Sequence, residues 1–383
     1  MKYTGIGGRR FTWTLVLVAL VAAAPLRAQS WDDALDAFGE QIEADVVADD
    51  VGGVVAGVMV DGDLVWARAF GWADRDARVP MSTASVSRTG SISKSVTAVL
   101  MMRLVDQGVI ELDDPVERYL PEFADISDRR PGAEAVTFRH LASHTAGLIR
   151  EPSWSGSVVG PLDSWGDRIL ESIPQTAYDS VPGARYQYSN IGFGIAGLAL
   201  ERATGRPFMD MVRTEVFEPL GMTGSEFIVD GAELDARLAT GYVVSQNGAI
   251  DAEQPAREHD GRGYKVPNGG VYSTVADLGR FMGAMSGVPG LRILSEKSRR
   301  DALTVQTPES PTQGYGLGFS ISVDQDGRTI AGHGGSVAGY TANMAFDPDA
   351  RIGVVLLRNY GRGATNLGRA AQDLVAQLRD LQR

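Results

Sequence analysis

The chain has no cysteine, only 4 histidines in 383 residues, and lysine at just Lys2, Lys94, Lys265 and Lys297. The missing cysteine excludes a thiol nucleophile, a disulfide framework, a Cys-ligated zinc and a lipid anchor on cysteine. Cations are in deficit: Lys and Arg total 36 against 48 Asp and Glu, a net charge of −12. That balance argues against a nucleic-acid partner, whose footprint is a basic patch. Internal repeats, low-complexity tracts and long like-charge runs are missing too. What is present, 44% hydrophobic and 22% charged residues, has the composition of a globular protein. Its length allows one large core or two lobes.

Residues 1–28 stand apart from the rest. Lys2, Arg9 and Arg10 precede an apolar run from Phe11 to Ala24, and Leu26-Arg27-Ala28 offers a cleavage site. This is the layout of a secretory signal peptide, with an apolar core short for a membrane span. The expectation is an exported protein, periplasmic or secreted, cleaved near Ala28, with residues 29–383 as its folded domain. An uncleaved anchor is the alternative. No second membrane segment follows.

From Trp31 to Asp49 apolar residues recur at helical spacing, and Gly52-Gly53 ends the run. VVAGVMV (54–60), Asp61-Gly62-Asp63 and LVWARAFGWAD (64–74) read as a hairpin. Val96 to Val105 predicts a helix stopped by Gly108. Strand patterns return in GYGLGFSISV (314–323), RTIAGHGG (328–335), GYTANMAFDP (339–348) and RIGVVLLRN (351–359), before an amphipathic helix from about Thr365 to Arg379. The expected class is α+β: a mostly antiparallel sheet built from both chain ends, flanking helices, and an inserted, mainly helical lobe over about 112–266. A site would lie in the cleft between them.

Three stretches carry chemistry. In TGSISKSVTA (89–98), Gly90 lets the backbone turn and Ser91 opens a helix, where free N–H groups favour negative charge. Lys94, one turn on, brings its amine beside Ser91 Oγ, and burial would lower its pKa enough for it to act as a base. The plain alternative is an N-cap serine with a solvated lysine. In PGARYQYSN (182–190), Tyr188 is a phenol that shuttles a proton if a nearby cation lowers its pKa. Asn190 offers a donor and an acceptor; an ordinary Asx turn is the alternative. In GHGGSVAGY (332–340), paired glycines permit close backbone approach, and the N–H of Ser336 can join that of Ser91 as an oxyanion hole.

In this order, Ser91-x-x-Lys94, Tyr188-x-Asn190 and His333-Gly334-Gly335 resemble the signatures of the serine β-lactamase and penicillin-binding protein superfamily. The tyrosine form is similar to the branch of class C β-lactamases, D-alanyl-D-alanine carboxypeptidases, D-aminopeptidases and lactamase-like esterases. TFRHLASHTAGL (137–148), EPLGMTGSEF (218–227), PNGGVYSTVADLGRF (267–281), YGLGF (315–319) and GVVLLRN (353–359) resemble it as well. The resemblance implies an acylated Ser91, base and acid roles shared by Lys94 and Tyr188, and substrate contacts from Asn190, His333 and Gly335. It implies no cofactor and small ester, peptide or β-lactam substrates. One departure is His333, where lactamases of this branch place lysine. A histidine with an ordinary pKa of about 6.5 is a weaker holder of a substrate carboxylate. It favours an esterase or D-amino-acid peptidase over a β-lactamase or carboxypeptidase.

Two rival classes remain. His140 and His144 stand four apart, a spacing that presents two imidazoles to zinc, but the residues between lack the glutamate of H-E-x-x-H. A catalytically silent binding protein on the same fold is the other. The joint presence of Ser91, Lys94, Tyr188 and Asn190 speaks against it. No α/β-hydrolase elbow G-x-S-x-G occurs; Gly334-Gly335-Ser336-Val337-Ala338 misses at its last place.

Overall fold

The computed structural model describes residues 1–2, 30–129, 133–229 and 232–382. The proposed leader and its cleavage site therefore lie almost wholly outside the described residues. Within the described residues no helix is long and apolar enough to cross a membrane.

Eight antiparallel strands form the main sheet, in the spatial order Val79–Pro80, Asp63–Asp74, Gly53–Val60, Ile352–Arg358, Tyr340–Asp347, Thr329–Val337, Ser320–Val323 and Gln313–Tyr315. The two chain ends meet at its centre, where Val54 pairs with Arg358 and Val60 with Ile352. These central strands are buried almost throughout, because both faces of the sheet are covered. They read as continuous apolar runs instead of an apolar–polar alternation.

On one face, Val54, Ala56, Val58, Val354 and Leu356 pack against Leu35, Ile42 and Val46 of the Trp31–Asp49 helix. Leu374, Val375 and Leu378 of the closing helix, Leu367–Leu381, complete that layer. On the other face, Val55, Met59, Val355 and Leu357 join a core that continues through Val96 and Leu100 to Phe138, Ile191 and Phe208. The helix Ser93–Asp106 is buried along nearly its whole length at the middle of that core. The longest helix between residues 112 and 266 is Asn190–Thr204, also buried, begun by Ser189 and ended by Gly205 in a left-handed conformation.

The fold class is the one expected from the sequence. The helix Trp31–Asp49 has the expected bounds. GYGLGFSISV, however, is two strands, not one. Gly318 between them has φ +80°, and a Cβ there would meet Ala98 Cβ at 2.4 Å. The chain turns here to pass under the buried helix. Ser95 Oγ donates to Gly318 O at 2.6 Å and seals the contact.

Candidate active site

Ser91 lies in a one-turn 3₁₀ segment, Gly90–Ile92, that runs directly into the Ser93–Asp106 helix. Gly90 adopts φ +54°, and a Cβ there would come within 2.7 Å of Ser336 N. Glycine is required twice, by the backbone angle and by the space. Ser93 Oγ donates to Gly90 O at 2.7 Å and accepts from Val271 N at 3.0 Å, which holds the turn shut. Gly335 closes the other side: a Cβ on it would sit 1.9 Å from Thr89 O and 3.0 Å from Ser91 N. The strand carrying Gly335 and Ser336 thus passes directly against the backbone of Ser91.

Lys94 is completely buried. Its Nζ is 3.0 Å from Ser91 Oγ and 3.0 Å from Asn268 O, and lies 4.8 Å from the centre of the Tyr188 ring. Burial holds its amine well below the usual lysine range; the Glu151 carboxylate pulls the other way, and Arg150 and Lys265 add to the depression. A lysine lowered in this way gives up its proton more readily than an exposed one.

Tyr188 is half-buried and hydrogen-bonded to the Ser91 side chain. A cation does stand near it, with Arg150 Cζ 4.7 Å from its ring centre. Even so, burial raises its pKa, outweighing the opposing effects of Ser91 and Arg150. The phenol therefore keeps its proton, and the lowering that the sequence allows for does not occur. The loop is set by His144, whose Nδ1 accepts from Ser189 N at 3.0 Å and whose carbonyl accepts from Gln187 N at 2.7 Å. His140 Nδ1 instead accepts from Thr137 N at 3.2 Å. His140 thus caps its own helix, while His144 holds the loop that carries Tyr188.

Asn190 turns its amide away from the lysine. Its Nδ2 donates to Glu151 Oε1 at 2.5 Å, and its backbone carbonyl accepts from Asn268 Nδ2 at 2.9 Å. The Tyr264 hydroxyl donates to the other Glu151 oxygen. The oxygen that the lysine meets belongs to the backbone of Asn268.

His333 is 5% exposed. Its Nδ1 donates to Gly334 O at 2.6 Å, leaving Nε2 to accept from the Tyr315 hydroxyl at 2.7 Å. Burial, with the nearby Lys94 second, pushes its pKa down to about 3. The sequence suggests a ring of ordinary pKa, about 6.5, facing a substrate carboxylate and so charging between about pH 5.5 and 8. The structure makes it a neutral, fully engaged group over that range.

Two clefts meet at Ser91. One, of about 510 Å³, has Arg150, Tyr188, Gly335, Asn343 and Arg358 in its wall. The other, of about 270 Å³, is bordered by Arg88, Asn190, Glu258, Lys265 and Asn268. Ser336 borders both. Arg150, Glu151, Lys265 and Asn268 escape sequence reasoning. Asn268 lies inside PNGGVYSTVADLGRF, and Glu151 opens the stretch EPSWSGSVVGPLDSW (151–165), but neither stretch shows by itself what it would touch.

The family described as Beta-lactamase matches residues 33–378 of the chain. Esterase EstB of Burkholderia gladioli is 32% identical over 305 residues, covering 72% of this chain and 76% of the esterase. The D-alanyl-D-alanine-carboxypeptidase/endopeptidase AmpH of Escherichia coli K12 is 26% identical, covering 84% of this chain and 83% of its own length. The penicillin-binding protein homologue of Pyrococcus abyssi, whose structure is titled octameric, superposes with a TM-score of 0.75 at 27% identity, over 90% of this chain and 77% of that one.

Proposed function

From the premise that this chain belongs to the beta-lactamase family and is a serine hydrolase, we propose that Ser91 is acylated by esters or peptide-type amides and then freed by water. The observation that carries this reading is the pair of a buried, depressed lysine and a half-exposed serine 3.0 Å apart. Neutral Lys94 takes the Ser91 proton as Oγ attacks the substrate carbonyl. The negative charge that develops on the carbonyl oxygen is received by the N–H groups of Ser91 and Ser336, each donor of this kind contributing about 10²–10³ in rate. The C–O or C–N bond then breaks, and the leaving group takes a proton from Tyr188, which recovers one from the Lys94 ammonium. Water repeats the sequence on the acyl-enzyme and releases the acid.

A Tyr188 phenol whose pKa burial raises, beside a Lys94 amine whose pKa burial lowers, supports this division into acid and base. Neutral His333 supports esters and amides over β-lactams, because it offers no charge to the carboxylate those substrates carry. Asn190 and Gly335 border the clefts where substrate would lie. Export, by removal of the basic-then-apolar leader near Ala28, belongs to the same proposal. The test is fluorophosphonate labelling read by intact mass, with turnover of p-nitrophenyl acetate, a chromogenic cephalosporin and D-amino-acid amides. One adduct is expected in wild type and none in Ser91→Ala, with ester or amide turnover ahead of the cephalosporin. Unchanged labelling of Ser91→Ala would remove the serine from the mechanism.

A further inference from the structure

We propose that the smaller cleft is the acyl subsite and that Lys265 selects acyl groups ending in a carboxylate, such as succinyl or glutaryl; this rests on the acyl-enzyme reading of Ser91. The assignment of sides follows from the proton. A leaving group must depart next to its acid, and Tyr188 borders the larger cleft. The smaller one, bordered by Ser91 and Asn190, is left for the acyl chain. Its volume of about 270 Å³ admits a few carbons and a terminal group, not a long peptide.

The charge of that cleft is opposite to that of the whole protein. Its charged lining residues are Arg88, Glu258 and Lys265. Arg88 is 2% exposed, and its guanidinium pairs with Glu258 at 2.9 Å, so these two cancel. Lys265 is half-exposed and forms no ion pair among the described residues, while the Glu151 carboxylate behind the wall is engaged by Asn190 Nδ2 and the Tyr264 hydroxyl, so the charge left facing the cleft is that of Lys265. Lys94 beneath it is completely buried and engaged by Ser91 Oγ and Asn268 O, so it does not face the cleft as a free cation.

Lys265 is also well anchored. Its loop is clamped by Thr97 Oγ1 on Pro267 O at 2.6 Å and by Lys94 Nζ on Asn268 O at 3.0 Å. Arg262 Nη1 on Gly270 O at 2.7 Å and the Tyr264 hydroxyl on Glu151 hold it from below. The backbone under the cation is held in place, so the side chain starts from a fixed point beside Ser91 and its long stem lets the amine reach into the cleft. In a chain of net charge −12, a cation without an ion-pair partner among the described residues, in the wall of the cleft beside Ser91, is suited to an anionic substrate group.

The experiment compares kcat/KM for mono-p-nitrophenyl glutarate and for p-nitrophenyl pentanoate, which differ in the terminal carboxylate. Wild type should favour the glutarate. In Lys265→Gln the glutarate-to-pentanoate ratio should fall about fivefold, the scale of one partly screened ion pair. Lys265→Glu should lower it further, and Lys265→Arg should restore it. Raising sodium chloride to about 0.5 M should shrink the wild-type ratio by screening. A ratio equal in wild type, Gln and Glu forms, with pentanoate still turned over, overturns this inference and leaves acylation of Ser91 standing. Failure of both esters to acylate wild-type Ser91 overturns the acyl-enzyme reading and this inference with it.

Discussion

Lys94 Nζ and the carbonyl oxygen of Asn268 lie 3.0 Å apart, joining residues separated by 174 positions in sequence. The carbonyl can accept only from an N–H, so it fixes one amine hydrogen and orients the rest of the group toward Ser91 and Tyr188. In the proposed mechanism this holds the base in place before substrate arrives.

That preparation has a cost in stability. In the unfolded chain Lys94 carries a proton up to a pKa of about 10.4, while burial lowers that limit in the fold. Between the two pKa values the unfolded state binds more protons, so stability rises with pH. Lys94→Met removes the penalty and the proposed base together. Expected are a loss in kcat of at least about a hundredfold and greater resistance to urea near pH 7, an advantage that shrinks toward pH 9. A variant less stable than wild type at both pH values would show that the lysine is not held neutral.

Tyr188→Phe should separate substrates by leaving group. p-Nitrophenolate departs without a proton, whereas an amine must receive one. Amide hydrolysis should fall by at least about a hundredfold and p-nitrophenyl acetate hydrolysis by much less. Equal losses on both would remove Tyr188 as the acid.

Glu151 bonds Asn190 and Tyr264, and its charge alone among the neighbours of Lys94 opposes the depression of that lysine. Neutralising it as Glu151→Gln should let the lysine pKa fall further, so the base is free at lower pH. The rising limb of kcat/KM against pH should move toward acid. Movement toward alkali, or none, would disconnect the carboxylate from the base.

What sequence could and could not show follows from distance along the chain. The Trp31–Asp49 helix and the hairpin around Gly62 are local patterns, and periodicity with turn residues suffices to read them. Ser91 and Lys94 share one turn and were legible for the same reason. Glu151 and Asn268 reach Asn190 and Lys94 from 39 and 174 residues away, and no spacing rule spans such gaps. The Gly318 turn was hidden because YGLGFSIS alternates well enough to pass for one strand. Its break comes from the Ser93–Asp106 helix passing alongside. The environment of His333 was likewise invisible. Its partner Tyr315 is 18 residues upstream on the sheet's edge strand.

That environment makes His333 a determinant of acid stability. Its ordinary pKa of about 6.5 applies in the unfolded chain, and about 3 applies in the fold. Below pH 6.5 the unfolded state takes up a proton that the folded ring refuses, so the contribution is complete above that pH and is lost as pH falls toward 3. By pH 5 the loss from this one ring is about 2 kcal/mol. His144 and His259, whose pKa values burial also lowers, slope in the same direction. His333→Gln retains a neutral donor and acceptor for Gly334 and Tyr315 without the titration. Its unfolding free energy should therefore fall less steeply than that of wild type between pH 7 and 5. The kcat/KM profile of a neutral ester should keep its shape over that interval, because no charge change at residue 333 enters it. A parallel fall in stability for both proteins, or an activity limb near pH 6.5 that vanishes in the variant, would place a titrating imidazole where the structure has a neutral one.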